Sequence, residues 1–373
     1  MADAQTLLAS ARDQCYLDPL AARESGRALA ACDGALAAWG WLHVALAEVR
    51  VGEASASAQA VAKARQAFEQ AADTRGLLWC DEVEAILLRR TGDYAGSARR
   101  QALLDAQPEH AQAQADDPLL GFVAHNSRAI TAKLQGQIEN ALRHLYAASD
   151  AAQRTSSVGP RITALGNLGG FHHDLYNLDD ARRLSEEALA AGREAGARQS
   201  VTTVAVNLIL IYHALGEVAQ ARAMAEFVLT HQDELVPDAV NRYALPLALG
   251  HLGVGEIPAA TACLEAGAVA GVADGDGMVM WAWLKARCLL AQGDAKQARA
   301  VAERTLQQRR ERRLSDPPYE MMELQRALAD ACESLGDSAA ALACMRQAHK
   351  GYEQLVGRSA RARYIALDVG HQL

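Results

Sequence analysis

At 373 residues the chain is longer than one ordinary compact core, and 50% hydrophobic residues with only 5% aromatic ones favour an alanine-rich helical protein. A formal net charge of −8 argues against general attraction to nucleic acid or to an anionic membrane. Seven scattered cysteines without a C-x-x-C pair argue against a zinc or disulfide framework. With no signal-peptide pattern and no run of about 18 apolar residues, we expect a cytoplasmic protein that does not span a membrane.

Along the chain, one pattern recurs nine times: a helical stretch, a turn residue, and then an alanine-rich helix. The turns repeat at intervals of 35 to 44 residues. A residue that accepts a left-handed φ is needed where the first helix ends, which favours glycine. The nine turn residues are Leu17, Gly52, Gly92, Gly136, Tyr176, Gly216, Gly255, Gly293 and Gly336.

Small side chains are expected where the two helices of each hairpin cross. Five residues after the turns stand Ala22, Ser57, Ser97, Ala141, Ala181, Ala221, Ala260, Ala298 and Ala341. Seven residues before the turns stand Ser10, Ala45, Ala85, Ala129, Gly169, Ile209, Ala248, Ala286 and Ala329. Only Ile209 is large, so the register predicts nine helix hairpins rather than a chance enrichment in alanine.

The segment Leu165–Ala190 resembles a tetratricopeptide repeat (TPR) unit, and the resemblance covers about nine units. It implies an all-α, right-handed TPR-like superhelical solenoid over residues 1–356, followed by a C-terminal capping or linker helix over residues 357–373. The repeats exceed the standard 34 residues, and the usual helix-ending proline is mostly missing. This longer form is similar to the regulatory arrays of bacterial signalling proteins and transcriptional activators.

Three irregularities interrupt the predicted stack. Gln107–Asp117 is expected to form a polar loop, and Gly271–Gly277 a flexible break. Pro246 is expected to kink the first helix of its hairpin.

Enzyme chemistry is not indicated, because the nucleotide-binding, nucleophile and zinc-protease motifs are absent from the sequence. Adjacent His172 and His173 would point about 100° apart on a helix, so we predict neither a metal site nor a cofactor. The basic run Gln307–Arg313 is interpreted as a solvated helix end. The pairs Trp39/Trp41 and Trp281/Trp283 fit packing between repeats, with ligand anchoring as the alternative.

In a TPR superhelix the first helix of each hairpin lines the concave groove. Asn167 and His173 share their offsets from the turn with Asn207 and His213 of the next hairpin. These polar ladders could clamp a peptide backbone or carboxylate, or they could be ordinary solvated groove residues. The full candidate set is Asn126, Lys133, Asn167, His173, Asn207, His213, Arg242, Arg287 and Arg326.

The sequence therefore predicts a non-catalytic TPR module that binds a protein or peptide through its groove in bacterial signal transduction. The alternatives are a free-standing adaptor or co-chaperone, or the sensor part of a longer diguanylate cyclase or histidine kinase. Ala360, Tyr364, Leu367 and His371 form a weakly apolar seam in the terminal helix. That helix is expected to act either as a cap or as a homodimer or relay element.

Overall fold

The computed structural model describes residues 3–32, 34–231, 243–269, 271, 277–312 and 317–372, and every regular element in these ranges is an α-helix. The nineteen helices in that part of the chain are α1 (Ala4–Gln14), α2 (Pro19–Ala30), α3 (Ala35–Val51), α4 (Ala54–Ala71), α5 (Thr74–Arg90), α6 (Tyr94–Asp105), α7 (Pro108–Asp116), α8 (Pro118–Leu134), α9 (Ile138–Gln153), α10 (Val158–Asp174), α11 (Leu178–Glu194), α12 (Arg198–Ala214), α13 (Val218–Thr230), α14 (Ala244–Gly253), α15 (Ile257–Val269), α16 (Met278–Ala291), α17 (Ala295–Arg312), α18 (Pro318–Ser334) and α19 (Ser338–Gln372).

Eighteen of these helices pair into the nine predicted hairpins, and α7 is the additional one. Every predicted turn glycine adopts a positive φ, for example 100° at Gly52 and 81° at Gly336. Tyr176 takes the same left-handed conformation, with φ of 60°, although its side chain makes that conformation costly. The hairpin register predicted from the sequence is confirmed, but the first turn residue, Leu17, does not share the positive φ of the other eight.

The crossing positions are close-packed, as the register requires. Ala22, Ala260 and Ala298 have no exposed surface. Where serine replaces alanine, its hydroxyl donates to a carbonyl on the facing helix: Ser57 Oγ to Ala45 O at 2.7 Å, and Ser97 Oγ to Ala85 O at 2.8 Å. Serine is therefore tolerated at a crossing because it is small and because its hydroxyl finds an acceptor.

Replacing Ala298 by leucine should lower the free energy of unfolding by about 1–3 kcal/mol, because the added methylenes have no space between α16 and α17. The matched control is Ala300→Leu, at an exposed position of the same helix. Thermal and urea denaturation of the two variants measure the difference. Equal loss of stability in both would contradict the predicted crossing.

The chain forms two compact units. Unit 1 comprises Met1–Leu168, Glu187–Val201 and Ile365–Leu373; unit 2 comprises Gly169–Glu186 and Thr202–Tyr364. The division falls inside helices α10, α11, α12 and α19, so the fifth hairpin contributes to both units.

The prediction of a polar loop over Gln107–Asp117 is wrong, because this segment forms α7. Pro108 occupies the first turn of the helix, where a missing N–H has no effect. His110 is fully buried, with its Nε2 3.0 Å from Glu82 Oε1. Although its composition is polar, the segment forms a helix, and the buried His110 connects that helix to Glu82 of α5.

Asp117, at the end of the same segment, is a buried structural carboxylate of unit 1. It caps α8 by accepting from Leu119 N at 3.1 Å, and it pairs with Arg12 and, at 2.8 Å, with Arg75. Burial acts to raise the pKa of the Asp117 carboxyl, but the two guanidinium groups outweigh it and hold that pKa below its usual value. The pairs fasten α1 and α5 to the start of α8.

A second buried ionic network of unit 1 surrounds Glu82, which has no exposed surface. Arg128 Nη1 lies 2.8 Å from Glu82 Oε1, and Arg128 Nη2 lies 2.7 Å from Asp105 Oδ1. The neighbouring carboxylates raise the pKa of Arg128 above its usual value despite its burial. Together with His110, this network joins helices α5, α6, α7 and α8.

Two further expectations differ from the structure. Pro246 stands in the first turn of α14, where proline is accommodated, so it does not kink a helix interior. The terminal segment is not a separate helix after Gly357, because α19 runs without a break from Ser338 to Gln372. The predicted break at Gly271–Gly277 falls mainly on residues 272–276, outside the described residues.

The apolar seam predicted for the terminal helix is not its packed face. Tyr364 and Leu367 are 72% and 65% exposed. Among the side chains that the structure describes, α19 instead buries Ala348, Leu355, Ser359, Ala362 and Ile365. His371 lies outside the residues whose side chains the structure describes.

Candidate functional site

The predicted asparagine ladder is partly formed. In unit 1, Asn167 Nδ2 donates to Asn126 Oδ1 at 2.7 Å, joining the first helices of two consecutive hairpins, α8 and α10. In unit 2, Asn207 is half-buried, and a Cβ atom at Gly170 would lie 3.2 Å from its Nδ2. The absence of a side chain at Gly170 thus leaves room for this amide.

The charged candidates do not form one group. Lys133 is exposed near the end of α8, and Arg242 lies outside the described residues. Arg287 Nη1 pairs with Asp330 Oδ2 at 2.6 Å, and Arg326 Nη1 pairs with Glu323 Oε1 at 2.8 Å. Both arginines therefore already have a carboxylate partner, which any ligand carboxylate must share or displace.

The predicted histidines meet in an aromatic cluster of unit 2. The ring centroids of His173 and Tyr319 are 5.8 Å apart, those of His213 and Trp283 5.7 Å, and those of Trp283 and Tyr319 6.0 Å. Two tyrosines extend the group. We define the histidine–tyrosine cluster as His173, Tyr176, His213, Trp283, Tyr319 and Tyr352.

Two ring nitrogens in this cluster have no hydrogen-bond partner within the described part of the chain: His173 Nε2 and His213 Nδ1. Burial lowers the pKa of His213 to about 4, and the neighbouring Arg287 and His173 act in the same direction. The His213 ring is therefore neutral at pH 7, with one nitrogen able to donate and the other to accept. The cluster offers unsatisfied hydrogen-bonding capacity among aromatic rings.

A carboxyl group borders the cluster. Burial raises the pKa of Glu323 above its usual value, although the charges of Arg326 and Arg287 act in the opposite direction. Burial also raises the pKa of the Tyr319 phenol, with the charge of Glu323 acting in the same direction. Polar groups and aromatic surface thus lie side by side in unit 2.

Tyr176 belongs to the cluster but was not among the site residues predicted from the sequence. It replaces glycine at a turn and keeps a positive φ of 60°. Its ring centroid lies 6.0 Å from that of Tyr319 and 6.1 Å from that of Tyr352. The departure from glycine was visible in the sequence, and strained backbone conformations are concentrated at functional sites.

The tryptophan pairs mainly pack. Trp283 is 2% exposed, and Trp281 Nε1 donates to Leu264 O at 3.1 Å. Trp39 packs edge-to-face on Phe68, and Lys63 covers the ring of Trp41. These contacts of Trp39 and Trp41 lie within one hairpin, α3–α4, whereas Trp281 links α16 to α15 of the preceding hairpin. Trp283 also belongs to the histidine–tyrosine cluster.

The other sequence features have structural partners. His172 is buried, with its Nδ1 3.1 Å from Asn177 Nδ2, whereas His173 contacts Tyr319. In the basic run, Arg309 is buried rather than solvated, and Arg313 lies outside the described residues. No group of three or more potential metal ligands occurs among the residues the structure describes.

Within those same ranges, no helix combines the length and hydrophobicity needed to cross a bilayer.

No family model matches the chain, and no curated protein sequence matches it. Solved structures do resemble it. A Rap protein complexed with Competence and Sporulation Factor gives a TM-score of 0.61 at 11% identity, covering 91% of this chain and 100% of the other. The apo form of RapI gives 0.54 at 11% identity, with coverages of 95% and 97%.

A third similar structure is the Rap conjugation gene regulator of the plasmid pLS20 in complex with the Phr* peptide. Its TM-score is 0.52 at 15% identity, and the match covers 96% of this chain and 97% of the regulator. At such low identities the likeness establishes the fold. This chain is accordingly an all-α solenoid of TPR-like helical hairpins, as the sequence predicted.

Proposed function

We propose that this chain is a non-catalytic cytoplasmic regulator in bacterial signal transduction, and that it binds a short peptide on the first helices of its hairpins. The observation that carries the proposal is the histidine–tyrosine cluster, in which His173 and His213 each keep an unpaired ring nitrogen. The partner is a peptide rather than a nucleic acid, in keeping with the net charge of −8.

The chemistry of the cluster suits a peptide. A peptide backbone presents N–H and C=O groups in alternation, and a neutral imidazole can accept from the first and donate to the second. The more exposed rings of Tyr176 and Tyr352 supply rigid apolar surface for a side chain.

The similar solved structures support this choice of ligand. One of them is a Rap protein in complex with Competence and Sporulation Factor, and another is a Rap regulator in complex with the Phr* peptide. The fold of this chain is therefore compatible with peptide binding, and its own polar and aromatic residues give a place for it. Regulation of a partner protein follows as the proposed consequence of occupancy.

Replacing Tyr176 by glycine should abolish peptide binding while leaving the fold intact. Glycine relieves the positive φ at the turn, so the melting temperature should be unchanged or higher, whereas the ring contacts with Tyr319 and Tyr352 are lost. Binding is measured on an array of short synthetic peptides of random sequence. Sequences that bind the unaltered protein should lose at least about tenfold in affinity, or about 1.4 kcal/mol.

The matched control is Tyr94→Ala, which removes a tyrosine that is 46% exposed at the start of α6. This variant should retain the affinity of the unaltered protein for every peptide selected. Peptide binding that survives Tyr176→Gly would place the site elsewhere. If no peptide binds the unaltered protein, the proposed function is wrong.

A further inference from the structure

The second helices of the hairpins carry a face that packs on the next hairpin. Nine residues after the turn, the internal hairpins bury Gly26, Val61, Gln101, Leu145, Ser185, Ala225, Leu264 and Ala302. In unit 1, a Cβ atom at Gly26 would lie 3.1 Å from Gly40 O, on the following helix α3. In unit 2, a Cβ atom at Gly250 of α14 would lie 2.6 Å from the Cβ of Ala225.

An ion-pair ladder of unit 2 runs along the edge of this face. Arginine stands six residues after three of the turns, and each one reaches the carboxylate directly after the next turn. Arg182 and Glu217 are 2.8 Å apart, Arg222 and Glu256 2.8 Å, and Arg299 and Asp337 3.1 Å. Within unit 2, the ladder thus links three hairpins to the hairpin that follows each of them.

The last hairpin departs from the burial seen in earlier hairpins. Its sixth position, Leu342, is 53% exposed, whereas Leu142 at the same position of the fourth hairpin is fully buried. Its ninth position, Met345, is 47% exposed, although the same position is buried in the eight preceding hairpins. The face that elsewhere meets a following hairpin is thus apolar and uncovered in unit 2.

The uncovered face continues along α19 with helical periodicity. Leu342, Met345, Tyr352, Val356 and Tyr364 follow one another at spacings of three, seven, four and eight residues, which keeps them on one side of the helix. All five are between 41% and 72% exposed. We call these five residues the α19 stripe. An apolar face of this extent, left exposed in the described structure, marks an interaction surface.

We propose that the α19 stripe is a homodimer interface, which pairs with the α19 stripe of a second copy about a two-fold axis. A second copy presents the same apolar residues, so the contact is self-complementary. The five side chains expose on the order of 500 Å² per copy, so a pair buries about 1,000 Å², the level that a specific interface must reach.

The test is the mass of the full-length chain in solution, measured by sedimentation and by light scattering from nanomolar to high micromolar concentration. As the concentration rises, the measured mass of the unaltered protein should increase from that of one chain to that of two chains. Leu342→Arg combined with Val356→Arg should remain at one chain mass throughout, because like charges would face each other across the axis. Circular dichroism and the melting temperature should match those of the unaltered protein at low concentration.

The matched control is Gln347→Arg combined with Gln354→Arg, which adds the same charge at exposed positions of α19 outside the stripe. This variant should dimerise as the unaltered protein does. A chain that stays monomeric at every concentration overturns the proposal, as does a mass that grows beyond two chains. If the Leu342→Arg, Val356→Arg variant still dimerises, the interface lies elsewhere on the protein, and the proposal is also wrong.

Discussion

Replacing Arg128 by methionine should lower the free energy of unfolding by about 3–5 kcal/mol, because it leaves the Glu82 carboxylate buried without its cation. Glu82 has no exposed surface, and its Oε2 has no hydrogen-bond partner in the described structure. Water therefore cannot take over the role of the lost guanidinium. Urea denaturation at pH 7, followed by circular dichroism, measures the loss.

A double variant separates the uncompensated charge from lost packing. Glu82→Gln added to Arg128→Met removes the charge, while its amide can still hydrogen-bond to His110. Most of the lost stability should then return, although each substitution alone is destabilising. If Arg128→Met costs less than about 1 kcal/mol, or if the double variant is no better than Arg128→Met, the buried pair does not hold these helices together.

The second large effect is expected on acidification and concerns His43 in α3. His43→Leu should make the protein more stable than the unaltered chain, and the difference should grow by about 2–3 kcal/mol between pH 7 and pH 4.5. The His43 side chain is 1% exposed, and neither ring nitrogen has a hydrogen-bond partner in the described structure. Leucine has a similar volume and needs no partner.

The direction of this change in stability with pH follows from the pKa of His43. Burial, assisted by the charge of Arg12 and opposed by that of Asp117, lowers the pKa of His43 from 6.5 to about 4. Between pH 6.5 and pH 4 the unfolded chain therefore binds a proton that the folded chain excludes. Stability falls as the pH falls through this window, and a variant without the histidine escapes that part of the loss.

Thermal unfolding at a series of pH values gives the comparison, with His349→Gln as the control. The His349 side chain is 70% exposed, so this variant controls for the loss of a histidine that is not buried. Parallel stability curves for His43→Leu and the unaltered protein would show that His43 is solvated and titrates normally.

Some of the candidate site could be read from the sequence and some could not. The shared offsets of His173 and His213 placed both on first helices, and both enter the histidine–tyrosine cluster. Tyr319 and Tyr352 gave no such signal, because they stand more than 140 residues after Tyr176 and meet it only through the packing of α18 and α19. The carboxylate partners of Arg287 and Arg326 were not predicted either, because the register identifies helix faces without pairing individual side chains.

The sequence by itself determined the hairpins of this protein. A left-handed turn at Gly52 or Gly336 is a local requirement on φ, and a small residue such as Ala298 is required wherever two helices cross closely. Both constraints act within one repeat, so the residue pattern expresses them directly.

Only the tertiary structure decided which polar groups are buried together and which helix faces are covered. Glu82 pairs with Arg128, which lies 46 residues away in the sequence. His110 joins the same ionic network and thereby connects α7, whose polar sequence predicted a loop, to α5. The same packing left the α19 stripe exposed while it buried Ala362 and Ile365. The physical reason is that burial and pairing depend on distances between helices remote in sequence, and a repeat pattern does not contain those distances.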